Sequence, residues 1–195
     1  MEVSLAECEN IIRNLKIGYP RIPRWQEEIK KRASFRKYTE TWLGRRRNIP
    51  KISSPVWSEK AFAERVAMNT PIQGTAADIL KLALGRIIVG LPERPWLKPL
   101  MQIHDELVFE IPADRVDEAI VFIKSCMEEK PFPEFNVSII AEASSGHRFG
   151  EMKELQFHEH GNQFSHPITD KISSHSSKQS NMILEIGRFI PFFSL

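Results

Sequence analysis

Cysteine is scarce in this sequence, and a hydrophobic run long enough to cross a membrane is absent from it. The two cysteines, Cys8 and Cys126, lack the close spacing of metal ligands, so they indicate thiols in a reducing compartment. The first residues do not resemble a signal peptide. The apolar stretch 182–193 contains Glu185 and Arg188 and is too short to span a bilayer. The sequence therefore predicts a soluble, intracellular protein.

Net charge is also low, at +2, but the charged residues are unevenly distributed. Residues 13–65 hold 15 of the 27 Lys and Arg residues and only 5 acids, whereas residues 66–195 hold 12 basic and 17 acidic residues. A basic half beside an acidic half predicts a polyanionic partner for the basic half. A solvent-exposed basic helix face is the alternative interpretation of the same pattern.

Hydrophobic periodicity predicts an α+β fold. Apolar spacing indicates helices through most of the first ninety residues and again over residues 113–129. The side chains that this spacing predicts to face inward are Trp25, Ile29 and Ala33, then Ile79, Leu80, Leu82, Ala83, Ile87 and Ile88, and last Val116, Ala119, Ile120, Ile123 and Met127. Pro71 and Gly74 are expected to kink the helix that begins near Glu59. Apolar runs on both sides of residue 104 predict a β-hairpin, and residues 137–142 a further strand. The expected architecture is a set of helices packed on a small antiparallel sheet.

The composition changes after residue 155. Residues 157–181 are rich in serine, histidine and amide side chains and poor in apolar ones. This composition predicts a disordered tail over residues 156–195, after a folded domain over residues 1–155. His158 and His160 could bind a metal ion, but spacing places no third ligand beside them.

An acidic triplet, His104-Asp105-Glu106, separates the two apolar runs of the predicted hairpin. Burying such charges inside a sheet is costly unless they are compensated. A tight turn would lift them out of the sheet, and carboxylates at its tip could hold Mg²⁺ through oxygen ligands. A solvated turn that joins two strands explains the same residues, and the triplet alone does not decide between the two.

Two groups of side chains are candidates for contact with a nucleic acid. Three arginines follow a glycine turn, where guanidinium groups are well placed to bind phosphate oxygens. Three polar residues recur at i, i+4 and i+8, so they share one helix face and suit the acceptors of the minor groove. An exposed basic loop and a solvent-facing polar stripe are the respective alternatives. The candidates are Arg45, Arg46, Arg47, Arg65, Asn69 and Gln73.

Two longer segments resemble a known family. Residues 64–79 (ERVAMNTPIQGTAADI) and residues 102–108 (QIHDELV) resemble the palm of family A DNA polymerases, the bacterial DNA polymerase I type. Residues 38–47 resemble the stretch that leads out of the fingers in that family. The resemblance covers about residues 3–155, with both motifs in the family's order. It implies a DNA-directed DNA polymerase of DNA replication or repair, located in the bacterial cytoplasm with the nucleoid.

The resemblance also implies roles for the candidate residues. Asp105 matches the motif C aspartate that binds the catalytic Mg²⁺ ions, Glu106 the neighbouring acid, and His104 a residue near the primer terminus. The helix face that begins at Arg65 matches the one that contacts the minor groove of nascent base pairs. The implied partners are a primer–template duplex and deoxynucleoside triphosphates. Two metal ions would activate the primer 3′-hydroxyl and stabilise the leaving pyrophosphate.

The sequence departs from the family pattern where activity depends on it. The motif A segment, typically Asp-Tyr-Ser-Gln-Ile-Glu-Leu, is absent, and so is the fingers helix that holds the incoming nucleotide. Phe149 stands where the family usually has tryptophan. We therefore expect a C-terminal fragment, from a split, truncated or misread gene, with little activity alone. If the gene is split, a separate chain carries motif A and the fingers. The alternatives are a non-catalytic DNA-binding module and an inactive truncated gene product.

Overall fold

The computed structural model describes residues 4–155 and 181–187. Within these residues the chain forms two compact units, of which the first ends at Asp78 and the second begins at Ile79. The helices are α1 (Leu5–Gly18), α2 (Arg21–Arg36), α3 (Trp57–Asn69), α4 (Thr75–Gly90) and α5 (Val116–Glu128). The strands are β1 (Tyr38–Glu40), β2 (Arg46–Asn48), β3 (Lys98–Ile103), β4 (Glu106–Pro112), β5 (Glu142–Gly146), β6 (Lys153–Leu155) and β7 (Asn181–Gly187). The predicted α+β class is confirmed.

The first helix begins at a capping box. The Ser4 backbone N–H donates to a Glu7 carboxylate oxygen at 2.9 Å, and the Glu7 N–H donates to the Ser4 hydroxyl at 3.3 Å. None of the described residues of α1 is buried, and its apolar side chains, such as Ile11 and Leu15, face solvent. The helix therefore forms from its local signals and presents an uncovered apolar stripe.

Helices α2 and α3 form the core of the first unit. Ile29 and Ala33 face inward from α2, as their spacing predicts. They pack in one apolar cluster with residues of α3 and of the short 3₁₀ turn Pro50–Ser53. The buried members of this cluster are Ile29, Ala33, Ile49, Ile52, Ala63 and Ala67.

The second unit is built on an antiparallel sheet. Within the described residues its strand order is β3-β4-β7-β5-β6, and each neighbouring pair is antiparallel. Helix α5 and the part of α4 that follows Ile79 contribute buried residues to the same core. From α4, Leu80, Ala83 and Ile87 are buried, whereas Leu82 and Ile88, which the periodicity also predicted to be buried, are exposed. The inward residues predicted for α5 are confirmed as buried: Val116, Ala119, Ile120, Ile123 and Met127.

One predicted strand lies at a different position in the structure. The strand expected over residues 137–142 is β5, Glu142–Gly146, which shares only its first residue with the prediction. Its position is set by pairing with β7, in a register that runs from Glu142 opposite Gly187 to Gly146 opposite Ile183. The small side chains of β5 favour a strand weakly by themselves, so the distant partner decides where it begins.

Residues 181–187 also differ from the expectation, because they form β7 within a stretch predicted to be a disordered tail. Alternate residues of this strand, Met182, Leu184 and Ile186, are buried. Because residues 157–181 are polar, the predicted tail was extended across this short segment of alternating apolar residues. The rest of the predicted tail, with His158 and His160, lies outside the described residues. No helix in the described ranges is long and apolar enough to cross a membrane.

Candidate nucleic-acid interface and acidic hairpin

A short β-hairpin carries the three consecutive arginines. Strand β1 pairs with β2 so that Thr39 lies opposite Arg47 and Glu40 opposite Arg46. Gly44 adopts a φ of 84°, a left-handed conformation that glycine accepts without steric cost, and this residue turns the chain. The predicted glycine turn before the arginines is therefore confirmed.

The helix beside this hairpin is interrupted at the predicted place. Proline has no N–H, so Pro71 removes the usual α-helical partner of the Ala67 carbonyl, and the chain forms a π-helical turn over Thr70–Gly74. The buried Thr39 hydroxyl donates to that Ala67 carbonyl at 3.2 Å. The interruption thus exposes a backbone acceptor that ties β1 to α3.

Arg45, the residue before β2, connects the hairpin to the π turn and to the helix α4 that follows it. Its Nε donates to an Asp78 carboxylate oxygen at 2.8 Å, and its Nη2 donates to the Gly74 carbonyl at 3.0 Å. Asp78 is buried, with a side-chain exposure of 10%, so this ion pair is shielded on the acid's side. A Cβ added at Gly74 would lie 2.7 Å from Thr41 Cγ2, which shows how closely the hairpin approaches the turn.

Between the hairpin and the π turn lies an opening that we call the basic cleft. It has a volume of about 240 Å³. Of the six predicted nucleic-acid-binding residues, the structure brings four to this opening. The residues that line it are Thr41, Arg45, Arg46, Arg47, Thr70, Gln73 and Gly74.

The arginines of the cleft differ in how firmly the protein holds them. Arg46 lies 3.6 Å from a Glu40 oxygen, and its guanidinium is stacked 4.7 Å from the centre of the Tyr38 ring. Arg47 is exposed and makes no ion pair within the described part of the chain. Arg45 is therefore a structural group, whereas Arg47 is the guanidinium most available to an external anion.

The predicted polar helix face is exposed along its length. Arg65 and Asn69 lie on α3, and Gln73 lies in the π turn beyond it. Arg65 has its guanidinium 5.9 Å from the centre of the Phe62 ring. Gln73 lines the basic cleft, but Arg65 and Asn69 do not. The three residues can thus contact an extended ligand along α3.

The acidic triplet lies at the tip of the second hairpin, as predicted. Ile103 pairs with Glu106, which leaves His104 and Asp105 as a two-residue turn. His104 adopts a φ of 53°, a conformation that tight hairpin turns require and that is uncommon outside glycine. Its carbonyl accepts a hydrogen bond from Gln102 Nε2 at 3.2 Å. His104 and Asp105 are exposed, and Glu106 is half-buried.

These two carboxylates fit part of a magnesium site. Mg²⁺ is commonly held by one or two protein carboxylates and several waters, which Asp105 and Glu106 could supply at an exposed tip. Among the residues that the structure describes, no three His, Cys, Asp or Glu side chains are grouped as metal ligands. Magnesium binding by Asp105 and Glu106 therefore stays a prediction.

A family model matches the part of the chain that contains the basic cleft and the acidic hairpin. The model of DNA polymerase family A matches residues 1–151, which contain both features. This chain belongs to DNA polymerase family A. The resemblance of its two motifs to that family is thereby confirmed, and β7 lies outside the residues that the family model matches.

Individual family A relatives are much longer than the matched segment. The chain is 40% identical over 131 residues to the thermostable DNA polymerase I of Thermus filiformis, a match that covers 65% of this chain and 15% of that protein. It is 38% identical over 152 residues to DNA polymerase I of Streptococcus pneumoniae serotype 4, which covers 77% of this chain and 17% of that protein. The chain thus spans about a sixth of these relatives.

A solved family A structure has the same fold over the matched part. The POL domain of Pol1 from M. smegmatis, in complex with DNA primer-template and dNTP, is 30% identical with a TM-score of 0.62. The match covers 67% of this chain and 23% of that one.

The sequence patterns missed the residues that hold the basic cleft together. Thr39, Thr41 and Asp78 make its internal contacts, yet none belongs to the predicted sets. One signal was available for Asp78, because it is the only acidic residue of α4 and precedes the apolar pair Ile79 and Leu80. A buried charge of that kind requires a partner, and Arg45 supplies it.

Proposed function

We propose that this chain is the C-terminal part of a DNA-directed DNA polymerase of replication or repair, with little activity alone. In this role it holds a primer–template duplex and contributes carboxylates to the metal site of nucleotidyl transfer. The observation that carries the proposal is the basic cleft, where three arginines and Gln73 surround one opening inside the family-matched region. The neighbouring Pol1 structure, which contains DNA primer-template and dNTP, supports the same class of partner.

The residues of the first unit would bind the duplex by two kinds of contact. Arg47 and Arg46 pair with phosphate oxygens, since planar guanidinium groups match phosphate geometry. Arg65, Asn69 and Gln73 donate to the minor-groove acceptors that every base pair presents, so they contact base pairs without selecting a sequence.

The second hairpin would contribute to the chemistry. Asp105 and Glu106 would hold magnesium, and His104 would lie beside the primer terminus. The bound ion would activate the primer 3′-hydroxyl and stabilise charge on the leaving pyrophosphate. A second aspartate is needed to position two ions, and it belongs to the motif A segment that the sequence lacks.

A separate chain that carries motif A and the fingers would supply what is missing, including the deoxynucleoside triphosphate site. The matched segment spans only 15% to 17% of the relatives, so most of a polymerase lies outside it. The exposed apolar stripe of α1, which includes Ile11 and Leu15, offers such a chain a surface to cover. The assembly would work in the bacterial cytoplasm, with nucleoid DNA as its partner and no membrane.

Salt-dependent binding of the purified chain to a primer–template duplex tests the proposal. Each phosphate contact contributes about −0.9 to the slope of log K against log salt concentration. The Arg47→Ala variant should therefore bind more weakly and lose about one unit of slope. Lys130→Ala removes an exposed lysine that does not line the cleft and serves as the matched control. Binding that is independent of salt, or equal in wild type and Arg47→Ala, contradicts the proposal.

A non-catalytic DNA-binding module is the second candidate function. It is favoured by one observation: every residue that lines the basic cleft belongs to the first unit, and none is at the acidic hairpin. Adding a chain with motif A and the fingers separates the two candidates. Restored nucleotide addition that requires Asp105 supports the polymerase, whereas binding without any restoration supports the module.

A further inference from the structure

The central position of the sheet in the second unit is occupied by a segment outside the family match. Strand β7 pairs with β4 on one side and with β5 on the other, in antiparallel register with both. Both of those neighbours lie within the matched residues 1–151, whereas β7 begins at Asn181. A strand from beyond the matched region therefore completes the sheet of the matched region.

The core of the second unit depends on this strand. Leu184 and Ile186 have no exposed surface, and Met182 is 5% exposed. In the register, Leu184 lies between Phe109 of β4 and Ser145 of β5. Without β7, the edges of β4 and β5 that face it would lose their backbone hydrogen-bond partners. The apolar cluster would then be exposed to water.

The C-terminal end of β7 packs closely against Glu106 of the acidic hairpin. A Cβ added at Gly187 would lie 2.4 Å from Glu106 Cγ and 2.8 Å from Glu106 Cα, so a side chain larger than glycine's does not fit there. At the other end of the strand, Asn181 Nδ2 donates to a Glu110 carboxylate oxygen at 3.1 Å. Close packing at one end and a hydrogen bond at the other fix the register of β7 along β4.

We infer that β4 and β5 form a strand-acceptor slot and that residues 181–187 are a self-inserted strand that closes it. Relatives that share β4 and β5 need a strand at the same place, and their longer chains must supply it from outside the matched region. This chain fills the slot with its own β7. The slot accepts an extended segment with apolar residues at alternate positions and a glycine beside Glu106.

The self-inserted strand affects how a separate chain could complete the metal site, and this step rests on the proposed function. One way for a completing chain to bring a second carboxylate to Asp105 is a strand that pairs with β4. The other edge of β4 is paired with β3, so such a strand has to enter through the edge that β7 occupies. Strand β7 therefore blocks this route to the metal site until it is displaced.

Hydrogen exchange on the full chain tests the inserted strand. In the wild type, amides of residues 181–187 should exchange at least roughly a hundredfold more slowly than in a free peptide of that sequence. Gly187→Val places a branched side chain against Glu106 and should speed exchange in 181–187 and 142–146 at least roughly tenfold. Gly150→Val is the matched control, because among the described residues nothing lies within 4 Å of a Cβ at Gly150. Two results would overturn the inference. One is that amides of residues 181–187 in the wild type exchange as fast as in the free peptide. The other is that Gly187→Val shows the same exchange rates as the wild type.

A peptide added in trans tests the slot itself. A fluorescent peptide of residues 178–188 should bind the Gly187→Val chain, whose own strand opens more often, at least roughly tenfold more tightly than the wild type, whose slot is filled. The same peptide with Leu184→Lys should bind neither chain. Equal binding to wild type, or no binding to Gly187→Val once its strand is released, overturns the slot. Neither experiment contains DNA, so a failure here is distinct from a failure of DNA binding.

Discussion

Two glycine-to-alanine substitutions in neighbouring helical segments should change stability in opposite directions. Gly74 lies in the π turn of the basic cleft, and Gly85 lies within α4. A Cβ at Gly74 would lie 2.7 Å from Thr41 Cγ2, whereas among the described residues nothing lies within 4 Å of a Cβ at Gly85. Alanine should favour the helical backbone at both sites, but only Gly85 has space for the added methyl group.

The expected magnitudes follow from these contacts. Alanine in place of glycine in a helix interior contributes about 0.5–1 kcal/mol of stability, which Gly85→Ala should show in full. Forcing a methyl group into a filled site costs about 1–3 kcal/mol. Thr41 cannot easily turn away, because it is buried, β-branched and accepts a hydrogen bond from the Arg45 N–H at 3.1 Å. Gly74→Ala should therefore be less stable than Gly85→Ala by about 1–3 kcal/mol.

Urea unfolding followed by circular dichroism measures this difference. Adding Thr41→Ser to Gly74→Ala removes Cγ2 but keeps the hydroxyl, so the double variant should recover most of the lost stability. Thr41→Ser alone supplies the reference for a double-mutant cycle. A Gly74→Ala protein that is stabilised as much as Gly85→Ala, or a cycle with no coupling, would refute the close packing of the hairpin on the π turn.

Two further predictions concern the second unit and the thiols. Leu184→Ala in β7 should cost about 2–5 kcal/mol in urea unfolding, whereas the exposed Val121→Ala should change stability by less than about 0.5 kcal/mol; equal values would contradict a buried β7. Burial raises the pKa of the Cys126 thiol, so less thiolate is present there at pH 8. Iodoacetamide should label exposed Cys8 faster than Cys126, as mass spectrometry of the native protein will show, and equal native rates would contradict the burial of Cys126.

Features that depend on local chemistry were predictable from the sequence. The capping box at Ser4 and Glu7 marks the start of α1 because both of its hydrogen bonds lie within one turn. Pro71 interrupts its helix because proline lacks an N–H, wherever the helix packs. The acidic hairpin was also predictable, since charged residues between two apolar runs favour a turn.

Features that depend on distant partners were not predictable in the same way. β5 begins at Glu142 because that residue pairs with Gly187, and the alternation in β7 is too short to stand out beside a long polar stretch. The burial of helical residues has the same limit. Periodicity places Ile88 on the apolar side of its helix but does not reveal how much of it neighbouring residues cover, and in the structure Ile88 is 53% exposed.

In the candidate site, the chemical type of each residue was predictable from the sequence, but its role in the folded chain was not. The sequence identified three arginines as phosphate ligands because their chemistry is alike. The structure separates them, since Arg45 is held by Asp78 and by the Gly74 carbonyl, while Arg47 is exposed. The difference arises from tertiary contacts between residues 29 and 33 positions apart in the sequence, which no local pattern records.

Primer extension by the purified chain alone tests the central claim most directly. The assay contains a primer–template duplex, Mg²⁺ and all four deoxynucleoside triphosphates, with Asp105→Ala as the control for contaminating polymerase. Because a two-metal site needs a second aspartate, which the family resemblance assigns to the absent motif A segment, we predict no extension above that control. Robust extension by the wild type that is lost in Asp105→Ala would show that this chain completes a polymerase site by itself and would contradict the account.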